Sequence, residues 1–415
     1  MSRGSGRLAG LLVVACLQNA AYTALVPFVP FLSEEFRMGP YAIGLVFGGF
    51  IFAKALVQPV GGWLSDRYSA RLVAIIGLLV TALGSLGVGW ADSGWLLIGF
   101  RILWGIGEGL SMPALYRLVG LLGRDRPGGE PRAMGLFGFS AMSGTAFGPV
   151  VIALFPDVMT FHRVLFLSSL IIVASAVALA VSVRAAGTRT ADYRDQERGP
   201  QGDRSRNSIA GGVTGVVLGL GVLDMLDNIV FSGLEPAFPL YLHDILRADT
   251  RHVSAILSIA LICFAVASAV TGRIIRRDQP LVMFGSMLVI RSAVLISIPF
   301  ISTLWIFSGA FIFLMITLAM AYVMIRSMLS TLRTDNPGVA FGWFGLISDI
   351  GLGIGPLISP VLVHDFGGWG FAALSMTAVP ALIVVRYITQ KNWTTGPESD
   401  DDRRGLEPQI RCEAA

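Results

Sequence analysis

The stretch Phe50–Arg71, FIFAKALVQPVGGWLSDRYSAR, decides how the rest of the chain is read. Its first half is apolar and carries Lys54, one of only two lysines in the sequence. Its second half closes on Gly62-Trp63-Leu64-Ser65-Asp66-Arg67, which reads as a tight, charged turn leading into another apolar run. A charge held at the centre of a bilayer costs about 2.5–3.5 kcal/mol on insertion scales, so Lys54 needs a partner.

Composition supports a bilayer rather than an aqueous core. Hydrophobic residues make up 54% and charged residues 14% of 415, with a mean hydropathy of +0.71. A soluble chain is about a quarter charged. The apolar residues come in runs of about 20, the length that spans a bilayer as helix. The net charge of +4 therefore speaks to topology and not to a nucleic-acid partner. Cys16 and Cys263 fall in apolar runs and Cys412 near the end, so no disulfide framework is implied. No cofactor or metal site is expected.

Twelve spans follow from the hydropathy pattern: 8–32, 40–64, 72–91, 95–120, 132–155, 162–184, 211–242, 252–275, 280–299, 303–325, 338–362 and 368–390. The first has basic residues ahead of it (Arg3, Arg7), but its apolar part is too long for a signal peptide, so it is expected to stay. Alternate loops hold most of the basic residues: Arg67 and Arg71; Arg124, Arg126 and Arg132; Arg184 to Arg206; Arg273, Arg276 and Arg277; Arg333; Lys391, Arg403 and Arg404. By the positive-inside rule both termini face the cytoplasm of a multi-pass cell-membrane protein. The domain reading is a six-helix bundle over 1–184, a cytoplasmic linker over 185–209, a second bundle over 210–390 and a disordered tail over 391–415.

The two bundles read as copies. Ala133-Met134-Gly135-Leu136-Phe137-Gly138 matches Ala340-Phe341-Gly342-Trp343-Phe344-Gly345, and the same register aligns Gly144, Gly148 and Pro149 with Gly351, Gly355 and Pro356. Asn19, Pro27 and Pro30 fall opposite Asn228, Pro236 and Pro239. Repeated halves are a plan of secondary transporters. The glycine runs let helices approach closely and are expected to form a gliding seam between the halves.

Gly62-x-Leu64-x-Asp66-Arg67 resembles the signature loop of the major facilitator superfamily. Arg101-x-x-x-Gly105-x-Gly107 is similar to that superfamily's second motif, and Gly144-x-x-x-Gly148-Pro149 to the motif of its antiporters. Ser69 and Ala70 depart from the loop pattern, and the second-half loop Gly272–Arg277 lacks the acidic residue. Ala53-Lys54-Ala55-x-x-Gln58-Pro59 and Ser348-Asp349 resemble the lysine-bearing second and acidic eleventh helices of drug:proton antiporters and vesicular monoamine transporters. The resemblance covers residues 8–390. It implies an all-α polytopic fold of two pseudo-symmetric six-helix bundles, and alternating-access, proton-coupled export of an amphipathic or cationic organic molecule. The alternative is export of a lipid, sugar or other metabolite, with or without such coupling. The expected partners are a small-molecule substrate, protons and lipid, with the chain as a monomer.

Candidate residues follow. Lys54 and Asp349 count to about one depth near the midplane, on helices that face each other in the implied fold, and are expected to form a gating pair. A static buried pair serving assembly is the plainer alternative. Asp224 and Asp227 share a face of the seventh span, with Asn228 adjacent, and two neighbouring carboxylates suit a proton carrier. Arg101 and Glu108 are expected to share a polar seam on the fourth span, Arg101 for proton transfer as the resemblance implies, Glu108 for a cationic substrate. Asn19 and Tyr22 are candidate cavity-lining residues beside Gln18, and Asn228 joins the substrate set. Gly62, Asp66, Arg67 and Arg71 are assigned to gating at the cytoplasmic turn. Glu235 is expected at the outer rim, Arg291 to snorkel or find a structural partner, and Arg117 and Arg326 to anchor at the cytoplasmic ends. An intramembrane enzyme would want a nucleophile–base pair within the bilayer, yet the four histidines (His162, His243, His252, His364) all fall near one membrane face.

Overall fold

The computed structural model describes residues 2–124, 129–182, 215–274, 280–331 and 337–390. The linker 185–209, the tail 391–415 and the loop arginines Arg126, Arg276, Arg277 and Arg333 lie outside the described residues. Twelve helical units run through the described residues. The first joins Ser2–Thr23, a short 3-10 turn Val26–Phe28 and Val29–Glu35. Then come Pro40–Arg67, Ala70–Trp90, Gly94–Arg124, Gly129–Leu154 and Phe161–Ser182. The second six are Gly215–Asp244, Thr250–Ile274, Pro280–Ser297, Leu304–Thr331, Pro337–Phe366 and a twelfth broken at Ser375–Thr377 between Gly368–Leu374 and Ala378–Gln390. Eleven are apolar enough along their length to cross a membrane; the fourth, Gly94–Arg124, carries Arg101, Glu108 and Arg117 along it. The second unit, 28 residues long, rises about 42 Å, enough to cross hydrocarbon and headgroups.

Local chemistry sets the breaks. Pro27 and Pro30 lack backbone N–H groups, and the chain between Thr23 and Val29 tightens to a 3-10 turn. Their repeat partners Pro236 and Pro239 stay inside an unbroken helix. Asp249 caps the eighth helix, its Oδ1 accepting from the His252 backbone N–H at 2.8 Å, which holds its carboxyl below the usual carboxylate range. The expected turn at Gly62–Arg67 is helical: the second helix runs on to Arg67, with only Tyr68 and Ser69 between it and the third. Solvated carboxylate and guanidinium at a helix end do not interrupt it, and Pro59 within it leaves the helix continuous.

The glycine register is where the two halves show themselves as copies. A Cβ on Gly144 would strike the Cys16 carbonyl, and one on Gly351 the Met225 carbonyl. One step further, Gly148 lies against the Ala20 carbonyl and Gly355 against that of Ile229. These contacts join the fifth span to the first and the eleventh to the seventh. The seam is therefore within each half, not between halves as expected: the glycine face of each helix turns to its own bundle. Between halves, the second span packs on the eleventh and the fifth on the eighth. There the close approaches belong to Gly44, 2.7 Å from the Pro356 carbonyl for an added Cβ, and Gly48, 2.9 Å from that of Gly353. Phe52 packs on Gly353 in return, 2.6 Å from an added Cβ.

Candidate functional site

Two polar clusters sit at mid-depth, one per half. In the first half Gly105 and Gly109 bring the fourth span onto the second; a Cβ at Gly109 would lie 2.7 Å from the Lys54 carbonyl. That approach puts Lys54 Nζ 3.3 Å from Glu108 Oε2, with 28% of the lysine side chain exposed and 8% of the glutamate. Tyr116, two turns along from Glu108, is half-exposed and within the field of both, and of Asp349. Gln18 donates to the Ser111 hydroxyl at 3.3 Å, tying the first span to the fourth.

Arg101 is fully buried and takes no part in the Lys54–Glu108 pair. Its Nε donates to the Val46 carbonyl at 3.1 Å, and its guanidinium is boxed by Tyr22, Phe47, Phe50 and Trp104, with ring centres 4.4–5.6 Å away. Such a box offsets part of the desolvation cost through the negative faces of the rings. The expected seam shared by Arg101 and Glu108 is thus divided, since each turns to a different neighbour. Tyr22 also donates to Glu235 Oε2 of the other half at 2.7 Å.

In the second half Asp224 and Asp227 each have their own guanidinium. Asp224 pairs with Arg326 at 2.9 Å and accepts from the Ser348 hydroxyl at 2.6 Å and the Asn228 amide at 3.2 Å. Asn228 also donates to the Ser348 hydroxyl at 2.8 Å. Asp227 pairs with Arg291 of the ninth span, and both are almost wholly enclosed. Each of the two neighbouring carboxylates thus has a guanidinium of its own. The snorkelling alternative for Arg291 and the anchoring expected of Arg326 give way to carboxylate partners inside the bundle.

Asp349, one residue past Ser348, is half-buried and makes no hydrogen bond or ion pair among the described residues. It lies within electrostatic reach of Lys54. The expected Lys54–Asp349 pair is not formed in this conformation: Glu108, on the neighbouring helix of the same half, has the lysine. Glu235, expected at the rim, is bonded inside the bundle instead. Asn19 turns its amide to the Ala15 carbonyl of its own helix, at 2.9 Å. At the end of the second span, Asp66 pairs with Arg117, which also donates to the Ser65 carbonyl at 2.7 Å. Arg71 donates to the Ala180 carbonyl, and Arg67 stacks over Trp63. Gly62 faces open space.

Among the joins between halves are Tyr22–Glu235, the glycine contacts of Gly44 and Gly48, and, at the end opposite the linker, Glu34 beside His243 at 3.5 Å. Sequence reasoning missed Tyr116, Glu235 as a group bonded inside the bundle, Gly44 and Gly48. The repeat of Asn19–Pro27 with Asn228–Pro236 places both Tyr22 and Glu235 in the aligned stretches, but an alignment does not show that the two meet.

Matched bundles of apolar helices enclosing charges at mid-depth define a polytopic transporter of the two-repeat kind. The chain belongs to the Major Facilitator Superfamily, which it matches over residues 11–223 and again over 220–409. It is similar to the multidrug resistance protein MdtG of Serratia proteamaculans, 24% identical over 70% of each chain. Similarity to multidrug resistance protein 1 of Bacillus subtilis is 20% identity over 81% of this chain and 85% of that one. A shorter match, 33% identical, joins it to the probable sulfoacetate transporter SauU of Cupriavidus necator, over 21% of this chain and about a fifth (20%) of that protein. Among solved structures, a bacterial homologue of the human lysosomal transporter Spinster, inward-facing and occupied, superposes with a TM-score of 0.70 at 14% identity over 93% and 96% of the chains. The inward-open xylose transporter XylE from E. coli gives 0.70 at 13% over 91% and 95%. The protein is thus a multi-pass membrane transporter, not an enzyme, and resembles drug antiporters in sequence.

Proposed function

We propose that this transporter is a proton-coupled antiporter that exports an amphipathic or cationic organic molecule by alternating access, with the linker end in the cytoplasm. The observation that carries the reading is Asp349. It is half-buried at mid-depth with no bonded partner among the described residues, across from a lysine that already has Glu108. A carboxylate so placed can take a proton or a substrate cation, but holding both charges at once is unfavourable in low dielectric. Exchange of one for the other is antiport. Lys54 acts as the gating charge: in this conformation it belongs to Glu108, and Asp349 takes it in another. Glu108 is uncovered for substrate when that exchange occurs. Asp224 and Arg101 serve proton movement, while Asp227 with Arg291 braces the second bundle. Asp66, Arg67 and Arg71 hold the cytoplasmic end, and the chain works as a monomer.

Reconstituted protein should drive ethidium against its gradient when a pH gradient is imposed, and Asp349→Asn should abolish that drive while the melting temperature holds. Equal pH-driven transport by wild type and variant would remove Asp349 from the coupling. A second reading, carriage of a lipid, sugar or other metabolite without proton coupling, has one observation in its favour. Lys54 is part-exposed and beside Tyr116, a setting that also suits an anionic group, and one short match is to a probable sulfoacetate transporter.

A further inference from the structure

Glu235 is an acidic side chain bonded across the two halves to a neutral hydroxyl, that of Tyr22. It lies about 14 Å of helical rise from the far end of the seventh span at Asp244, well inside the hydrocarbon. Beside it is a cavity of about 30 Å³ walled by Val26, Phe231, Leu234, Leu261, Phe311 and Met315. That volume holds about one water molecule, so nothing larger enters until the walls part. The walls come from both halves: Val26, with Thr23 beside it, from the first, and the others from the second.

We propose that Glu235 is a contact for the organic cation on the far side of the transport path, covered by the Tyr22 hydroxyl while the far side is shut. The inference rests on the cation-export reading. The geometry makes the site depend on conformation without any change in its own residues. Tyr22 bonds Glu235 and the charges of Arg101 and Lys54 reach it, and all three belong to the first half. When the far side opens, the halves separate and all three move away together. The carboxylate then keeps only its own half's surroundings, which are aromatic, aliphatic and thioether. An uncompensated carboxylate on an apolar wall fits the charge and the hydrocarbon of an amphipathic cation at once. Closure restores the Tyr22 hydroxyl and the Arg101 charge, and both act to expel that cation.

The test is tetraphenylphosphonium binding by the purified full chain, in wild type, Tyr22→Phe, Glu235→Gln and the double variant, with melting temperatures for each. Tyr22→Phe uncovers the carboxylate and should tighten Kd. Glu235→Gln in that background should weaken it by about tenfold or more, as expected for loss of a charge-assisted contact. Glu235→Asp, which keeps the charge, should bind more tightly than Glu235→Gln. A Kd unchanged within about twofold on Glu235→Gln in both backgrounds overturns the assignment. It does so while leaving cation export intact if Asp349→Asn still weakens binding. Absence of tetraphenylphosphonium binding in wild type and every variant overturns both readings.

Discussion

Lys54 shows what a residue can and cannot disclose from sequence. That it needs a partner follows from its depth; which partner does not. Counting rise along helices fixes height but not azimuth, and Glu108 and Asp349 both count to heights near Lys54. Gly105 and Gly109 decide between them, because they let the fourth span close on the second. A double-mutant cycle on Lys54→Met and Glu108→Gln should show a coupling of about 1–3 kcal/mol in melting experiments, below a fully enclosed pair because the lysine is part-exposed. The Lys54–Asp349 cycle in the same state should be close to additive; the reverse order of couplings would return the lysine to Asp349. The pair Asp227–Arg291 is more enclosed, so either single truncation should cost about 3–5 kcal/mol. Asp227→Leu with Arg291→Met should recover most of that and keep transport. A double variant that is stable but inactive would instead put Asp227 in the coupling machinery.

At the scale of elements, the hydropathy runs disclosed nearly all of the fold, since eleven of the twelve units among the described residues are apolar over a bilayer length. Ends and breaks were harder. The charged turn expected at Gly62–Arg67 proved to be the last turns of a helix, because nothing there opposes helical geometry. The paired glycines were visible as a repeat, yet their direction was not: periodicity gives a face, and only packing shows what the face meets. Gly144→Ala and Gly351→Ala should each lower stability by about 1–3 kcal/mol, since both drive a Cβ into a neighbouring carbonyl. Gly62→Ala, in open space, should be neutral or slightly stabilising, as expected for Gly replaced by Ala within a helix. Thermal melting of the three variants side by side checks this; equal losses in all three would undo the seam.

For the molecule as a whole, the repeat was the most informative feature of the sequence, because duplicated bundles restrict the architecture before any contact is known. The site was legible in part. Lys54, Arg101, Glu108, Asp224, Asp227 and Asp349 stand out as charges in apolar runs, but their grouping depends on how the helices of each bundle pack, which the chain order does not show. The Tyr22–Glu235 link crosses that boundary, and no pattern along the chain points to it. The same division gives the account its central claim, that Asp349 is shared in turn by proton and substrate. If it is, binding one must release the other, since linkage is reciprocal. In weakly buffered detergent solution near the pH at which Asp349 is protonated, tetraphenylphosphonium added to the purified protein should release about one proton per cation bound, followed with a pH-indicator dye. Asp349→Asn should abolish the release. Cation binding with no proton released from the wild-type protein would contradict the account.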